Sequence, residues 1–273
     1  MTVEVLDGIH MIQECGPHRV GIMEGRNRMP VDWYAGLEGR GIHIPQNAYL
    51  FVGGEGTLLF DTLSPAGRGQ VLGDLDRLLG ERPLDYLVVS HPDVPHAGNT
   101  LAILKAHPGC RLVAPAVGNN HALYHLDESL RVGPGDTLDL GGPRLRFEEA
   151  TFLDAPISIW MMEERSRTLL PVDWLGVPHV EGECGRDTTE LDLSKEEWLS
   201  RLIEFHGRVM FWYAYVDAPK VLREIDGLIA RLDPVHVAPA HGVFIRDEAV
   251  RFMEWMKPVV ETIAEHGRVG SLG

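Results

Sequence analysis

Six side chains of metal-binding type fall at the ends of strand-like segments: His91, Asp93, His96, Asp154, Asp173 and His241. Three of them form His91-Pro-Asp93-Val-Pro95-His96, directly after the apolar run Asp85–Ser90. Asp154 follows the strand-like Thr151–Leu153, Asp173 follows Thr168–Val172, and His241 stands three residues beyond Val235–Ala238. Imidazole and carboxylate without sulfur make a nitrogen/oxygen donor set that suits Fe, Mn or Zn. A carboxylate can bridge two cations with its two oxygens, which an imidazole cannot do. Six ligands exceed one four-coordinate zinc site, so the set reads as a two-metal centre. A lone His or Asp at a strand end is more often a turn or cap residue. Four separate strand ends, each bearing a ligand type, are hard to ascribe to chance. The pattern predicts a metal site.

The elements that must position these residues follow from hydrophobic period and turn chemistry. Val3–Leu6 and Ile9–Gln13 flank Asp7-Gly8, a two-residue hairpin signal. Residues 14–47 lack a sustained period and read as a long loop. Ala48–Val52 and Thr57–Asp61 form a second hairpin around Gly53-Gly54-Glu55-Gly56. That glycine cluster runs into a strand rather than a helix, so it is a turn and not a phosphate cradle. An amphipathic helix runs from Ser64-Pro65 to Gly80, then a buried strand over 85–90 and a short helix over 97–107. Arg111–Ala114 reads as a strand and 115–124 as a helix. Strands follow around Val132 and over Thr137–Leu140, Leu145–Glu148, Thr151–Leu153, Ile157–Met162 and Thr168–Val172. Helices over 194–209, 217–232 and 246–264 enclose one more strand, Val235–Ala238. This order predicts an α/β fold of two packed sheets with helices outside, an αββα four-layer sandwich. Side chains at strand ends of such folds share a common crevice.

Composition narrows the function classes. The chain has 273 residues and a net charge of −15, with 44% hydrophobic residues. No basic patch offsets that charge, which argues against nucleic acid as a partner. No apolar run approaches the ~20 residues of a membrane span, and the N-terminus lacks the features of a secretory signal, so a soluble, cytoplasmic protein is expected. Cys15, Cys110 and Cys184 are scattered with no CxxC, and are expected as small buried residues rather than a disulfide framework or thiolate zinc site. His43, Trp174 and His179 are candidates to line or flank the pocket. His121 and His125 have helical i, i+4 spacing without a third ligand, and read as a helix face. Trp33, Tyr34, Trp160, Trp212 and Tyr213 read as core. Arg246 either complements negative charge near His241 or starts a helix.

The segments carrying these residues resemble the metallo-β-lactamase superfamily, and within it the catalytic domain of flavodiiron proteins. His91-Pro-Asp93-Val-Pro95-His96 is similar to the family's His-x-Glu-x-Asp-His. Asn47-Ala-Tyr49-Leu50, Leu59-Phe60-Asp61-Thr62, Phe152-Leu153-Asp154-Ala-Pro156, Leu169-Leu170-Pro-Val-Asp173 and Ala238-Pro239-Ala-His241-Gly242 resemble further family segments in order and spacing. The resemblance implies that His91, Asp93 and Asp154 hold one metal, His96 and His241 the other, and that Asp173 bridges. Two departures stand out: Pro95 replaces a ligand Asp, and Asp154 replaces a His. The implied cofactor is iron, two ions or one, with Mn or Zn as alternatives. The implied function is binding, reducing or sensing O2 or NO, with electrons from a separate donor. A metal-dependent hydrolase of the same superfamily and a non-catalytic scaffold with a degenerate metal site are the competing readings. In the family, FMN on a following flavodoxin-like domain supplies the electrons. Residues 1–273 are expected to form a single metallo-β-lactamase-like domain without that unit. A small diatomic or other small-molecule substrate, a separate redox partner and a homodimer complete the expectations.

Overall fold

The computed structural model of the chain describes residues 1–15, 42–116, 129–154, 157–180 and 182–266. Strands β1 (Thr2–Leu6), β2 (Ile9–Glu14), β3 (Ile42–His43), β4 (Gln46–Val52) and β5 (Thr57–Phe60) open the chain. Helix α1 (Arg68–Leu79), strand β6 (Tyr86–Val88), the short helices α2 (Val94–Ala97) and α3 (Thr100–Ala106), and strands β7 (Arg111–Pro115) and β8 (Leu130–Val132) follow. Then come β9 (Thr137–Asp139), β10 (Arg144–Glu149), β11 (Ile159–Glu163), β12 (Thr168–Leu170) and β13 (His179–Val180). The last elements are α4 (Lys195–Val209), α5 (Ala218–Leu232), β14 (His236–Val237) and α6 (Ala249–His266). One sheet has the order β1-β2-β4-β5-β6-β7-β8, a second β14-β12-β11-β10-β9, and β13 pairs with β3 in a separate two-stranded ribbon.

Period-two alternation decides how the layers stack. In β4, Tyr49 and Phe51 join the large core shared with the second sheet and helices α4 to α6, while Ala48 and Leu50 face the core under α1. In β5, Leu58 and Phe60 join the first core and Leu59 the second. Helix α1 contributes Val71 and Leu75 to its side, and β11 contributes Trp160, Met161 and Met162 to the other. The result is the expected helix–sheet–sheet–helix sandwich. Each large side chain fully buried here contributes about 1.5–3 kcal/mol relative to exposure. No helix among the described residues is long and apolar enough to cross a membrane.

Local departures from the sequence expectations have identifiable causes. The helix expected over 97–107 starts later, as α3 at Thr100 behind the separate turn of α2, because Asn99 is diverted to tertiary bonds. Its Nδ2 donates to the carbonyls of Thr62, Leu63 and Ser64, and its backbone N–H donates to Thr62 Oγ1. Thr151–Leu153 is not a strand. The Leu153 carbonyl accepts from Trp212 Nε1, and Phe152 packs on Trp174. Helix α6 starts at Ala249 rather than 246, since Phe244 and Ile245 form bridges to Asp187 and Val237. Residues 117–128, with His121 and His125 and most of the helix expected over 115–124, lie outside the described residues, as do Trp33 and Tyr34.

Candidate metal centre

Five of the six ligand-type residues follow the ends of β6, β12 and β14, while Asp154 lies in the non-strand segment after β10. His91 and Asp93 follow β6, with Asp93 at the N-cap of α2 and His96 inside it. Pro95 occupies the first turn of α2, where a missing N–H costs nothing. Asp173 follows β12, and His241 follows β14 by a short turn. The Ser90 carbonyl accepts from the Ile159 N–H, which fixes the end of β6 against the second sheet.

Asp173 is the hinge of the arrangement. Its Oδ1 lies 3.0 Å from His241 Nε2 and 3.5 Å from His96 Nε2, while its Oδ2 lies 3.6 Å from His91 Nε2. His91 Nε2 is also 3.7 Å from Asp154 Oδ2. Donor atoms of His91, His96 and Asp173 lie within 4.8 Å of one another, and so do those of His91, Asp93 and Asp154. Asp173 therefore faces two half-sites, one for each carboxylate oxygen. His91, with Asp93 and Asp154 near it, faces Oδ2, and His96 and His241 face Oδ1. His91, His96, Asp173 and His241 are buried, Asp154 is half-buried and Asp93 is exposed.

The opposite nitrogen of each ring shows what the site can bind. His96 Nδ1 donates to Asp61 Oδ2 at 2.7 Å, and His241 Nδ1 donates to the Pro45 carbonyl at 2.8 Å. A carbonyl can only accept, so His241 Nδ1 carries a proton, and a neutral ring would face the Asp173 carboxylate with its Nε2 lone pair. Two acceptors at 3.0 Å need a proton or a cation between them. His91 Nε2 and Asp173 Oδ2 are buried and have no hydrogen-bond partner. Buried polar atoms are seldom left so, and a metal ion would satisfy them. The residues fit the implied group.

Charges in the pocket follow the same logic. Burial works against the Asp173 charge, yet the His96 charge and the hydrogen bonds from His241 and His96 hold its carboxyl well below the usual range. Burial also disfavours protonated His96, but the Asp173 and Asp61 carboxylates prevail and raise it well above an ordinary imidazole. Burial, with the His96 charge adding, pushes His91 down to about 4. Asp154 is pushed up to about 7 by burial and by the Asp173 charge.

Asp61, Asn47, Tyr49 and Gly242 support the site, although their residue types and positions do not mark them as ligands. Asp61 accepts from the Ser90 N–H and Oγ–H as well as from His96, and so fixes both ends of the His91–His96 loop. Asn47 and Tyr49 hold the His241 turn by donating to the Pro239 carbonyl, and Asn47 donates also to that of Gly242. Gly242 has φ +101, and a Cβ there would lie 2.0 Å from the Val177 carbonyl oxygen. Asp61 (φ 66), Val172 (φ 58) and Leu175 (φ 66) adopt left-handed backbone beside the centre. Such strain persists only where surrounding contacts over-determine it. Trp174 is fully buried and stacks on Trp160 at 5.4 Å. His43 and His179 gather around Cys15 and Cys184. Arg246 pairs with Asp187 and donates to the Val5 carbonyl.

His206 locks the segment after Asp173. Its Nδ1 donates to the Leu202 carbonyl and its Nε2 accepts from the Leu175 N–H, which fixes a neutral ring. Complete burial lowers its pKa to about 4. Above pH ~6.5 both folded and unfolded chains hold this ring neutral. As pH falls from there towards 4 only the unfolded chain takes the proton, so stability falls. This group alone accounts for a loss of roughly 3 kcal/mol across that window. Urea titrations of His206→Gln and the parent at pH 7 and pH 4.5 measure it. The variant is expected to lose distinctly less stability on acidification; equal losses would rule out this role.

The sandwich, with ligand-type side chains gathered at its strand ends, is that of a metal-binding α/β domain. The chain belongs to the metallo-beta-lactamase superfamily, whose family model matches residues 42–242. It is 29% identical over 207 residues to rubredoxin-oxygen oxidoreductase of Megalodesulfovibrio gigas, covering 73% of this chain and 49% of that protein. It is 27% identical over 212 residues to a nitric oxide reductase of Moorella thermoacetica, covering 76% and 51%. The chain thus spans about half the length of these relatives. The flavodiiron protein of Giardia intestinalis shares its fold, with a TM-score of 0.73 at 16% identity over 97% of this chain and 60% of that one.

Proposed function

We propose that this chain is a flavodiiron-type oxidoreductase domain that binds and reduces O2 or NO at a two-metal centre. His91, Asp93 and Asp154 would hold one iron and His96 and His241 the other, with Asp173 offering an oxygen to each. The observation that carries this is Asp173, whose two oxygens face imidazole nitrogens from opposite half-sites. Relatives named for oxygen and nitric oxide reduction support the choice of substrate. Residues 1–273 act as one domain, with electrons delivered by a separate donor.

Iron held there would supply redox chemistry and affinity for a diatomic. The chain's own residues set its surroundings. Asp61 holds the Nδ1 proton of His96, and the Pro45 carbonyl holds that of His241, so both rings present Nε2 inward. Pro95 leaves the His96–His241 half-site with two imidazoles and one carboxylate, the set of a facial triad with free positions. Asp154 makes the other half-site richer in oxygen, a harder field that stabilises the oxidised metal.

The test is expression with iron supplied, metal analysis, and gas-uptake measurement with an artificial electron donor. About two irons per chain, a near-ultraviolet absorption that bleaches on reduction, and consumption of O2 or NO are expected. One zinc per chain, no gas uptake, and ester or thioester hydrolysis lost in Asp173→Ala would overturn the proposal in favour of a metallo-hydrolase.

A further inference from the structure

Four side chains from separated segments meet beside the β3–β13 ribbon. Cys15 directly follows β2, His43 lies on β3, His179 on β13, and Cys184 in the turn after β13. His179 and His43 are register partners across the ribbon. Cys15 Sγ is 2.8 Å from His179 Nε2 and 3.4 Å from His43 Nδ1, and Cys184 Sγ is 3.4 Å from the same His43 nitrogen. All four donor atoms lie within 4.8 Å of one another. Both histidines are buried. The sulfurs are joined as a disulfide, with Cα atoms 6.0 Å apart across 169 residues of sequence. The sequence expectation of inert, scattered cysteines is therefore corrected for Cys15 and Cys184. Their pairing is set by the end of β2 meeting the turn after β13, which no short spacing could reveal.

A disulfide needs no imidazole, yet two buried rings aim nitrogens at these sulfurs. Two thiolates with two imidazoles are the donor set of a closed, tetrahedral structural zinc site. With Zn–S near 2.3 Å and Zn–N near 2.0 Å, the S···N edge of such a tetrahedron is about 3.5 Å. The His43 distances already match it. We propose that, when Cys15 and Cys184 are reduced, these four residues hold one Zn2+ ion in a site separate from the His91 centre. A dithiol reductant takes up the disulfide by exchange, giving two protein thiols and its own cyclic disulfide. Zinc binding then releases the two thiol protons. Oxidation by a disulfide compound reverses the exchange, removes both thiolate ligands and releases the metal.

The placement gives the site a structural consequence. Gln13, two residues before Cys15, donates Nε2 to the Gly242 carbonyl. Pro45, two residues after His43, accepts from His241 Nδ1. Val177, two residues before His179, donates its N–H to the His241 carbonyl. Three of the four ligands thus stand two residues from a contact that fixes the His241 turn, and zinc would clasp all three strands together.

Cobalt titration of reduced, metal-free protein under anaerobic conditions is the test. Cobalt bound by Cys15 and Cys184 gives thiolate-to-metal charge transfer in the near ultraviolet and intense tetrahedral bands in the visible. The His91 centre contains no sulfur and cannot give the charge-transfer band. We expect that band in the wild type and in Asp173→Asn, its loss on adding Zn2+, and its absence after disulfide oxidation. We also expect Zn2+ to slow the reaction of two thiols with a thiol reagent about tenfold or more. Burial pushes Cys110, the remaining thiol, up to about 12, so it stays slow and does not confuse the count. Cys15→Ser and Cys184→Ser should each lose the band. Reduced wild-type protein that loads cobalt only at the His91 centre, with two fast thiols and no charge-transfer band, would overturn the site and leave a simple disulfide. This result is independent of whether iron occupies the His91 centre.

Discussion

Asp173→Asn is expected to abolish metal loading, lowering affinity by more than ~100-fold in chelator competition, beyond the 10–100-fold typical of supporting residues. The reason is geometric. Asp173 supplies an oxygen to each half-site, so a single substitution withdraws a ligand from both. An amide also offers an N–H where an acceptor is needed, and that N–H turns towards one of the inward Nε2 atoms. In the metal-free protein the same change strips His96 of one of its two carboxylate partners. Breaking a buried ion pair in this way costs about 3–5 kcal/mol, measurable as a lower urea midpoint. Circular dichroism confirms that the affinity is read on folded protein. Wild-type metal stoichiometry in this variant would remove Asp173 from the centre.

The second large effect is at Asp61, which touches no metal. Asp61→Asn keeps a residue type that tolerates φ 66, and its side-chain oxygen can still accept from the Ser90 N–H. Its amide NH2 then faces His96 Nδ1, where the carboxylate accepted a proton at 2.7 Å. The metal-free ring, held protonated on both nitrogens between Asp61 and Asp173, then gives up its Nδ1 proton and keeps the one on Nε2, and an Nε2–H cannot bind metal. A 10–100-fold loss of affinity is expected, with the proton shift visible in the imidazole 15N signals of the metal-free protein. Unchanged affinity together with an unchanged tautomer would show that Asp61 does not orient His96.

Much of this molecule can be read along the chain. The first hairpin stands where Asp7-Gly8 places it, with Gly8 at φ 70. Helix α1 ends at Gly80, whose φ of 59 with ψ of −117 suits a residue without a side chain. The strands before His91 and Asp173 are β6 and β12, shorter than their apolar runs suggest. These features are local, set by hydrophobic period, turn residues and caps that neighbouring positions declare. Sequence by itself also determined which side chains could bind metal, because ligand chemistry is a property of residue type.

Only the tertiary structure decided how those side chains are used. Which oxygen of Asp173 each histidine takes depends on β6, β12 and β14 ending at one place. Asp61 became the partner of His96 because β5 lies beside β6 in the sheet. The two-residue strands β3 and β13 carry no period of their own and exist through their mutual pairing. The histidines assigned to the pocket flank, His43 and His179, meet Cys15 and Cys184 there instead. Coordination requires donors from distant segments to converge within a few ångströms. That convergence is fixed by sheet order and packing, which no window of neighbouring residues contains.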